Sequence, residues 1–247
     1  MQVIACLKGH WRARTIGPAI PRSAIEKHSE REEHYTYGMN LEQAADYENC
    51  KQWLDSQPPA SVVYISFGSF ASLTQEQLSE LASGLIASNK NFLWALRASE
   101  QQKLPWHFIK HLGDKGLVVS WSPQLAVLAH ESVGCFVTHC GWNSTLEAIS
   151  LGVPMVVVPQ WTDQPTNAKY VEDVWGVGVR ARADKKRVIV GREIKRCIRE
   201  VMDGKKSGEV KRNAKKWREL AEKAVSEGGS SDENLNEFVE FLNAEEV

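Results

Sequence analysis

Residues 121–164 read WSPQLAVLAHESVGCFVTHCGWNSTLEAISLGVPMVVVPQWTDQ. The apolar, β-branched run at 133–138 predicts a buried strand. It passes through His139, Cys140 and Gly141 into a helix expected at 143–151, and a second apolar strand is expected at 153–158. Helical patterns at 124–130 and 164–173 flank the unit. A strand, a glycine turn and a helix start make an anion site, because the first helical N–H groups lack partners and carry the positive end of the dipole. Gly141 lets a ligand approach the backbone closely. The chemistry suits a phosphate or diphosphate, although neither GxxxxGK[ST] nor GxGxxG occurs. The competing reading is an ordinary capped helix, with Ser144 and Glu147 as its capping box.

The alternation extends outward. Val62, Val63, Tyr64, Ile65, Ser66 and Phe67, closed by Gly68, predict another buried strand. Thr74-Gln75-Glu76-Gln77 is a capping box, and Leu78, Leu81, Ala82 and Leu85 follow at amphipathic-helix spacing. Further strands are expected at 92–96 and 117–120. Strands alternating with helices imply an α/β fold, a doubly wound parallel sheet covered on both faces. Such sheets bind ligands beyond the C-terminal ends of their strands.

The C-terminal third reads as helical. Ile194, Cys197, Ile198 and Val201 mark one helix, and Val210, Ala214, Trp217, Leu220, Ala221 and Ala224 a second. In the second, Lys211, Arg212, Lys215, Lys216 and Arg218 read as a solvated face, with Glu219 and Lys223 as an i,i+4 pair. After Gly228-Gly229, Leu235, Phe238, Val239 and Leu242 mark a last helix. Upstream, a short helix at 49–54 precedes Pro58-Pro59. The first forty residues, with Gly17, Pro18, Pro21 and a charged stretch at 26–34, read as a linker or arm that packs on something else.

Composition narrows the function classes. With 247 residues, 43% of them hydrophobic, the chain can build a real core. Thirty basic side chains against thirty-one acidic ones give a net charge of −1, which leaves no field to hold nucleic acid or an anionic membrane. The apolar stretches at 62–65 and 155–158 fall far short of the roughly 18 residues of a membrane helix. Cys6, Cys50, Cys135, Cys140 and Cys197 form no CxxC pair and read as reduced thiols, packed as small core residues. Cys135, His139 and Cys140 lack the partner pair of a zinc site. The apolar run at 3–7, followed by Lys8, His10 and Arg12, is too brief and wrongly ordered for a signal peptide, so a cytoplasmic location is expected.

The stretch 121–164 resembles, without a gap, the signature box of plant family 1 UDP-glycosyltransferases, the plant secondary product glycosyltransferase box. It contains W-x-P-Q, H-C-G-W-N-S-x-x-E, G-V-P and a final D-Q. Residues 62–69 are similar to the first strand and loop of the family's C-terminal domain, and residues 11–21, with T-I-G-P-A-I-P at 15–21, to its interdomain linker. The resemblance implies a Rossmann-like fold, the C-terminal donor-binding domain of a GT-B glycosyltransferase. Residues 1–10 would then be unassigned, 11–60 the linker and lead-in helix, and 61–227 the UDP-sugar-binding domain. Residues 228–247 would form a helix crossing back to an N-terminal acceptor domain that this chain lacks.

The resemblance also implies residue roles. Trp121 would stack on uracil and the backbone of Ser122 would read its edge. Gln124 and Glu147 would hold the ribose hydroxyls. Ser69, His139, Asn143 and Ser144 would surround the diphosphate. Trp142, Asp163 and Gln164 would bind the sugar, and a final Gln implies glucose, hence UDP-glucose. The partner is a small-molecule acceptor with a hydroxyl or carboxyl, glycosylated with inversion. No metal or other cofactor is implied, since the helix N-terminus stabilises the leaving diphosphate. Structural roles compete: a core Trp121, a satisfied His139, a loop-capping Asp163 and a helix-capping Glu147. The family's general base, a histidine early in the N-terminal domain, has no counterpart, because His10 in K-G-H-W lacks the helix that should follow. No catalytic residue is therefore expected in this chain. Two readings follow: a glucosyltransferase represented by its donor half and inactive alone, or a non-catalytic UDP-sugar-binding fragment or remnant.

Overall fold

The computed structural model describes residues 13–25, 41–69, 71–110 and 112–245. Its elements begin with α1 (Arg22–Ile25), α2 (Leu41–Asp55), β1 (Val62–Ser66), α3 (Gln75–Ser88) and β2 (Asn91–Ala95). Next come α4 (Ala98–Gln101), α5 (Trp106–Lys110), β3 (Gly116–Val119), α6 (Gln124–Ala129), β4 (Val133–Thr138) and α7 (Trp142–Leu151). The last are β5 (Met155–Val157), α8 (Gln164–Lys169), β6 (Gly178–Arg180), α9 (Gly191–Met202), α10 (Ser207–Val225) and α11 (Ser230–Glu245).

A strand buried on both faces needs apolar side chains almost throughout, and β1 and β4 supply them at the sheet centre. The sheet is parallel, ordered β3-β2-β1-β4-β5-β6. Val63 and Ile65 join Trp94, Cys135, Val137 and Val156 on one face, under α3 and α9. Val62 and Tyr64 join Leu93, Phe136, Met155 and Val157 on the other, under α2, α6, α7 and α10. This is the two-residue alternation of a strand with a core on each side. The chain leaves β1 for β2 and β3, then crosses back to lay β4, β5 and β6 on the opposite flank. The loops after β1 and β4 diverge, and a crevice opens there.

Some expectations are corrected. The sheet gains a sixth strand, β6, too short to show a period. Helix α2 starts at Leu41 rather than at 49. The helix expected at 164–173 divides into α8 and a π-helical turn at Tyr170–Val174. The capping box at 74–77 holds in one direction: Thr74 accepts from the Gln77 N–H at 3.1 Å. The Gln77 side chain turns instead to Ile189, donating to its carbonyl and accepting from its N–H, each at 2.9 Å. Glu219 takes Lys215 at 3.8 Å, and Arg218 takes Glu222 at 2.8 Å, in place of a Glu219–Lys223 pair. The basic partner of Glu219 lies one turn back, at the i−4 position that Lys215 occupies.

Residues 1–12 and the charged stretch 26–34 lie outside the described residues. The linker from 13 to 17 packs on α11. The Gly17 N–H donates to Ser231 Oγ (2.9 Å), whose hydroxyl donates back to the Gly17 carbonyl (2.6 Å). Asn234 donates to the Thr15 carbonyl at 2.8 Å, and Arg14 pairs with Glu237 at 2.6 Å. On its outer side α11 leaves Leu235, Phe238, Val239, Phe241 and Leu242 about half exposed. Among the described residues no helix is long and apolar enough to cross a membrane.

Candidate functional site

After Thr138 the chain kinks through His139, Cys140 and Gly141 into α7. Cys140 holds φ at +66°, a region that side chains rarely adopt. Its N–H donates to Thr138 Oγ1 (3.2 Å), its carbonyl accepts from Asn167 Nδ2 (3.0 Å) and its thiol meets Thr145 Oγ1 (3.5 Å). These contacts offset a strain on the order of 1–3 kcal/mol. The kink makes Gly141 the N-cap of α7, with no side chain on the first free N–H groups. Ser144 and Glu147 form no capping box. Gln124 Nε2 donates to both, at 2.9 Å to Ser144 Oγ and 2.5 Å to Glu147 Oε2. The helix start, with its partial positive charge, is left open to the crevice.

His139 fills the space between two glycines. A Cβ on Gly68, whose φ is +72°, would stand 3.1 Å from His139 Cε1, and one on Gly141 would stand 2.5 Å from Nε2. Gly68 follows β1 and Gly141 follows β4, so the ring spans the point where strand order reverses. Burial lowers the His139 pKa, against the pull of Asp163 and of the Ser66 backbone. The neutral imidazole therefore predominates at neutral pH.

A cleft of about 340 Å³ adjoins the kink, lined by Ser69, Trp121, Ser122 and Gln124 together with Tyr64 and Ser66. Ser69 is exposed in the loop after β1, while Trp121 is half-buried and Ser122 buried in the loop after β3. That loop is pinned twice. Ser122 Oγ and Tyr64 Oη share a hydrogen bond of 2.9 Å, and the Ser120 hydroxyl donates to Asp46 at 2.9 Å. Tyr64 itself stacks on Phe136 with 5.0 Å between ring centres. Burial pushes the Glu147 carboxyl above its ordinary range, with the Gln124 hydrogen bond in opposition.

On the far side of His139, Asp163 is exposed at the start of α8. It accepts from the Thr162 hydroxyl at 2.8 Å and from Asn167 at 2.7 Å, bonds that hold its pKa below the usual value. Gln164 is buried, and its Oε1 accepts from the N–H groups of Gln160 (2.8 Å) and Trp161 (3.1 Å). Only its amide nitrogen remains for a ligand. Trp142 and Asn143 stand exposed on the first turn of α7.

The fold thus gathers Trp121, Ser122, Gln124, Ser144 and Glu147 on one side of the α7 start, with His139 between them and Asp163. Tyr64, Thr138 and Asn167 support these residues and escaped the sequence reading. Only Asp163–Asn167 carried a legible signal, an i,i+4 pair at a helix start. Cys50, Cys135, Cys140 and Cys197 are buried free thiols. Among the described residues no group of three or more His, Cys, Asp or Glu could hold a metal ion.

A family model described as UDP-glucoronosyl and UDP-glucosyl transferase matches residues 32–219. UDP-glycosyltransferase 74E2 of Arabidopsis thaliana is 52% identical over 232 residues, covering 94% of this chain and 51% of its own length. The structure of Os79 from O. sativa in complex with UDP aligns at a TM-score of 0.84 and 45% identity, over 95% of this chain and 51% of that one. Phytolacca americana UGT2, complexed with UDP-2fluoro-glucose and pterostilbene, aligns at 0.79 and 37% identity, over 92% of this chain and 47% of that one. The chain spans about half the length of these relatives, and its sheet corresponds to one Rossmann-like half of their GT-B fold. With its signature stretch, its strand order and these likenesses in agreement, the chain belongs to the UDP-glucoronosyl and UDP-glucosyl transferase family.

Proposed function

We propose that this chain is the donor half of an inverting glucosyltransferase, which binds UDP-glucose for transfer to the hydroxyl or carboxyl of a small hydrophobic acceptor. The observation that carries the reading is the uncapped start of α7, open to the crevice between β1 and β4 with His139 wedged beside it. Free N–H groups and a neutral imidazole there would receive a diphosphate and stabilise it as the leaving group. Ser69, Asn143 and Ser144 would complete that cradle. The flat ring of Trp121 and the Ser122 backbone would take uracil, and Gln124 with Glu147 the ribose. Trp142, Asp163 and the Gln164 amide would take the glucose hydroxyls. The UDP in the Os79 complex, and the UDP-2fluoro-glucose and pterostilbene in the UGT2 complex, support a nucleotide-sugar donor and a small acceptor.

In this reading the acceptor oxygen attacks the anomeric carbon opposite the departing UDP, and a base outside this chain takes its proton. The groups named above all serve the donor, so the chain alone binds and does not transfer. The apolar side of α11 would seat the complementary half. Metal is not required, and the expected location is the cytoplasm. The test is calorimetry on the purified chain. UDP and UDP-glucose should bind with or without a chelator, and UDP-galactose more weakly. Folded protein that ignores millimolar UDP overturns the reading. Turnover by the chain alone, without a relative's other half, overturns the division of labour.

A further inference from the structure

Asn167 lies on α8, beyond the signature stretch, and is buried. Its side-chain nitrogen donates twice, to the Cys140 carbonyl at 3.0 Å and to Asp163 Oδ2 at 2.7 Å. On the donor-site reading above, these two acceptors belong to opposite ends of the bond that breaks. Cys140 forms the left-handed kink that aims the start of α7 at the diphosphate. Asp163 is the exposed carboxylate assigned to the sugar.

The remaining restraints on each end differ. Thr138 holds the Cys140 N–H and Thr145 meets its thiol, so the kink keeps two other anchors. Among the described residues, the side-chain hydrogen bonds to the Asp163 carboxylate come from Asn167 and the adjacent Thr162 hydroxyl. The Asn167 backbone is itself fixed, because its N–H and that of Thr166 both donate to the Asp163 carbonyl at 3.0 Å. One short amide thus links a strained loop to a side chain that solvent would otherwise leave mobile.

We propose that Asn167 is a positioning residue that sets the Asp163 carboxylate against the diphosphate loop, so that recognition of the sugar depends on it far more than recognition of the nucleotide. A carboxylate held in place beforehand spares the donor the cost of ordering it on binding. Without Asn167, that ordering falls on the sugar contacts alone.

The test uses the 247-residue chain and its Asn167→Ala and Asn167→Ser variants, with thermal unfolding to confirm the fold. Asn167→Ser keeps a polar group in the buried position with too short a reach for both acceptors, and it carries the comparison if Asn167→Ala misfolds. Affinities for UMP, UDP and UDP-glucose are measured by calorimetry. UMP should bind within about twofold of the parent chain while UDP-glucose weakens about tenfold. Adding Asn167→Ala to Asp163→Ala should cost UDP-glucose no more than about a further twofold, since one residue acts through the other. Equal losses for all three ligands, or additive losses in the double variant, overturn the proposal. Unchanged UDP-glucose affinity in both single variants overturns it too, with the donor site intact. A parent chain that binds none of the ligands overturns the donor-site reading and this inference with it.

Discussion

Trp121 sits in a loop fastened on both sides, at Ser120 by Asp46 and at Ser122 by Tyr64. A ring held this way can stack on a base with little loss of its own freedom. Trp121→Ala should weaken UDP binding by about 1–3 kcal/mol, the usual worth of an aromatic–base stack. Calorimetry at unchanged thermal stability checks it, and undiminished affinity would put the uracil elsewhere. Glu147 offers a test by pH. Its folded-state pKa is raised by burial, with Gln124 in opposition. Ribose hydroxyls donating to the ionised carboxylate would lower that pKa in the complex. Binding then releases a proton, so affinity climbs with pH through the raised apo pKa and levels off above it. Uridine is the right probe, since it has no phosphate to titrate and none to meet His139. The climb should vanish in Glu147→Gln, and a uridine affinity that falls with rising pH would contradict the assignment. The residues legible beforehand were those with a motif around them. Tyr64 and Thr138 were not, because their partners Ser122 and Cys140 come into reach only through the register of the sheet and the kink.

Among the elements, α3 and α9 are joined by a side chain whose local reading was half wrong. Gln77 satisfies both backbone groups of Ile189, which lies two residues before α9 and is itself buried. Truncation to alanine strands a buried N–H and a buried carbonyl together. Gln77→Ala should therefore cost about 2–6 kcal/mol, from about 1–3 for each unsatisfied group. Chemical denaturation measures it, and a loss below about 1 kcal/mol would mean that water takes over both bonds. Local propensity explains the misreading, since a capping box looks three residues ahead while Ile189 is 112 residues away. The central strands were legible for the opposite reason. Burial on both faces writes an apolar run into β1 and β4. β6 is only Gly178, Val179 and Arg180, and nothing in those residues separates a short edge strand from a loop.

At the scale of the molecule, α/β class followed from alternation alone, whereas the placement of β4 beside β1 did not. Strand order depends on where each crossover lands, and no residue pattern records that. Helix α11 bares an apolar stripe, in which Phe241 joins Leu235, Phe238 and Leu242. Ile16 and Arg14 border the same surface, around a groove of about 460 Å³. A contiguous apolar patch of this kind favours association. The isolated chain should self-associate as its concentration rises, and replacing Phe238 and Leu242 by serine should return it to monomers in sedimentation. Association unaffected by the double replacement would place the sticky surface elsewhere.

Arg14 and Glu237 touch although 223 positions separate them along the chain. Segments near the two ends of the described residues therefore meet at one corner of this module. A body tied twice at a single corner can tilt there as a unit, and its sheet feels none of the bending. It can equally be lifted out of one protein and spliced into another with both seams side by side. On the donor-half reading, a lineage could trade whole modules of this kind by recombination, because the swap disturbs one edge of the graft and leaves both of its cores sealed.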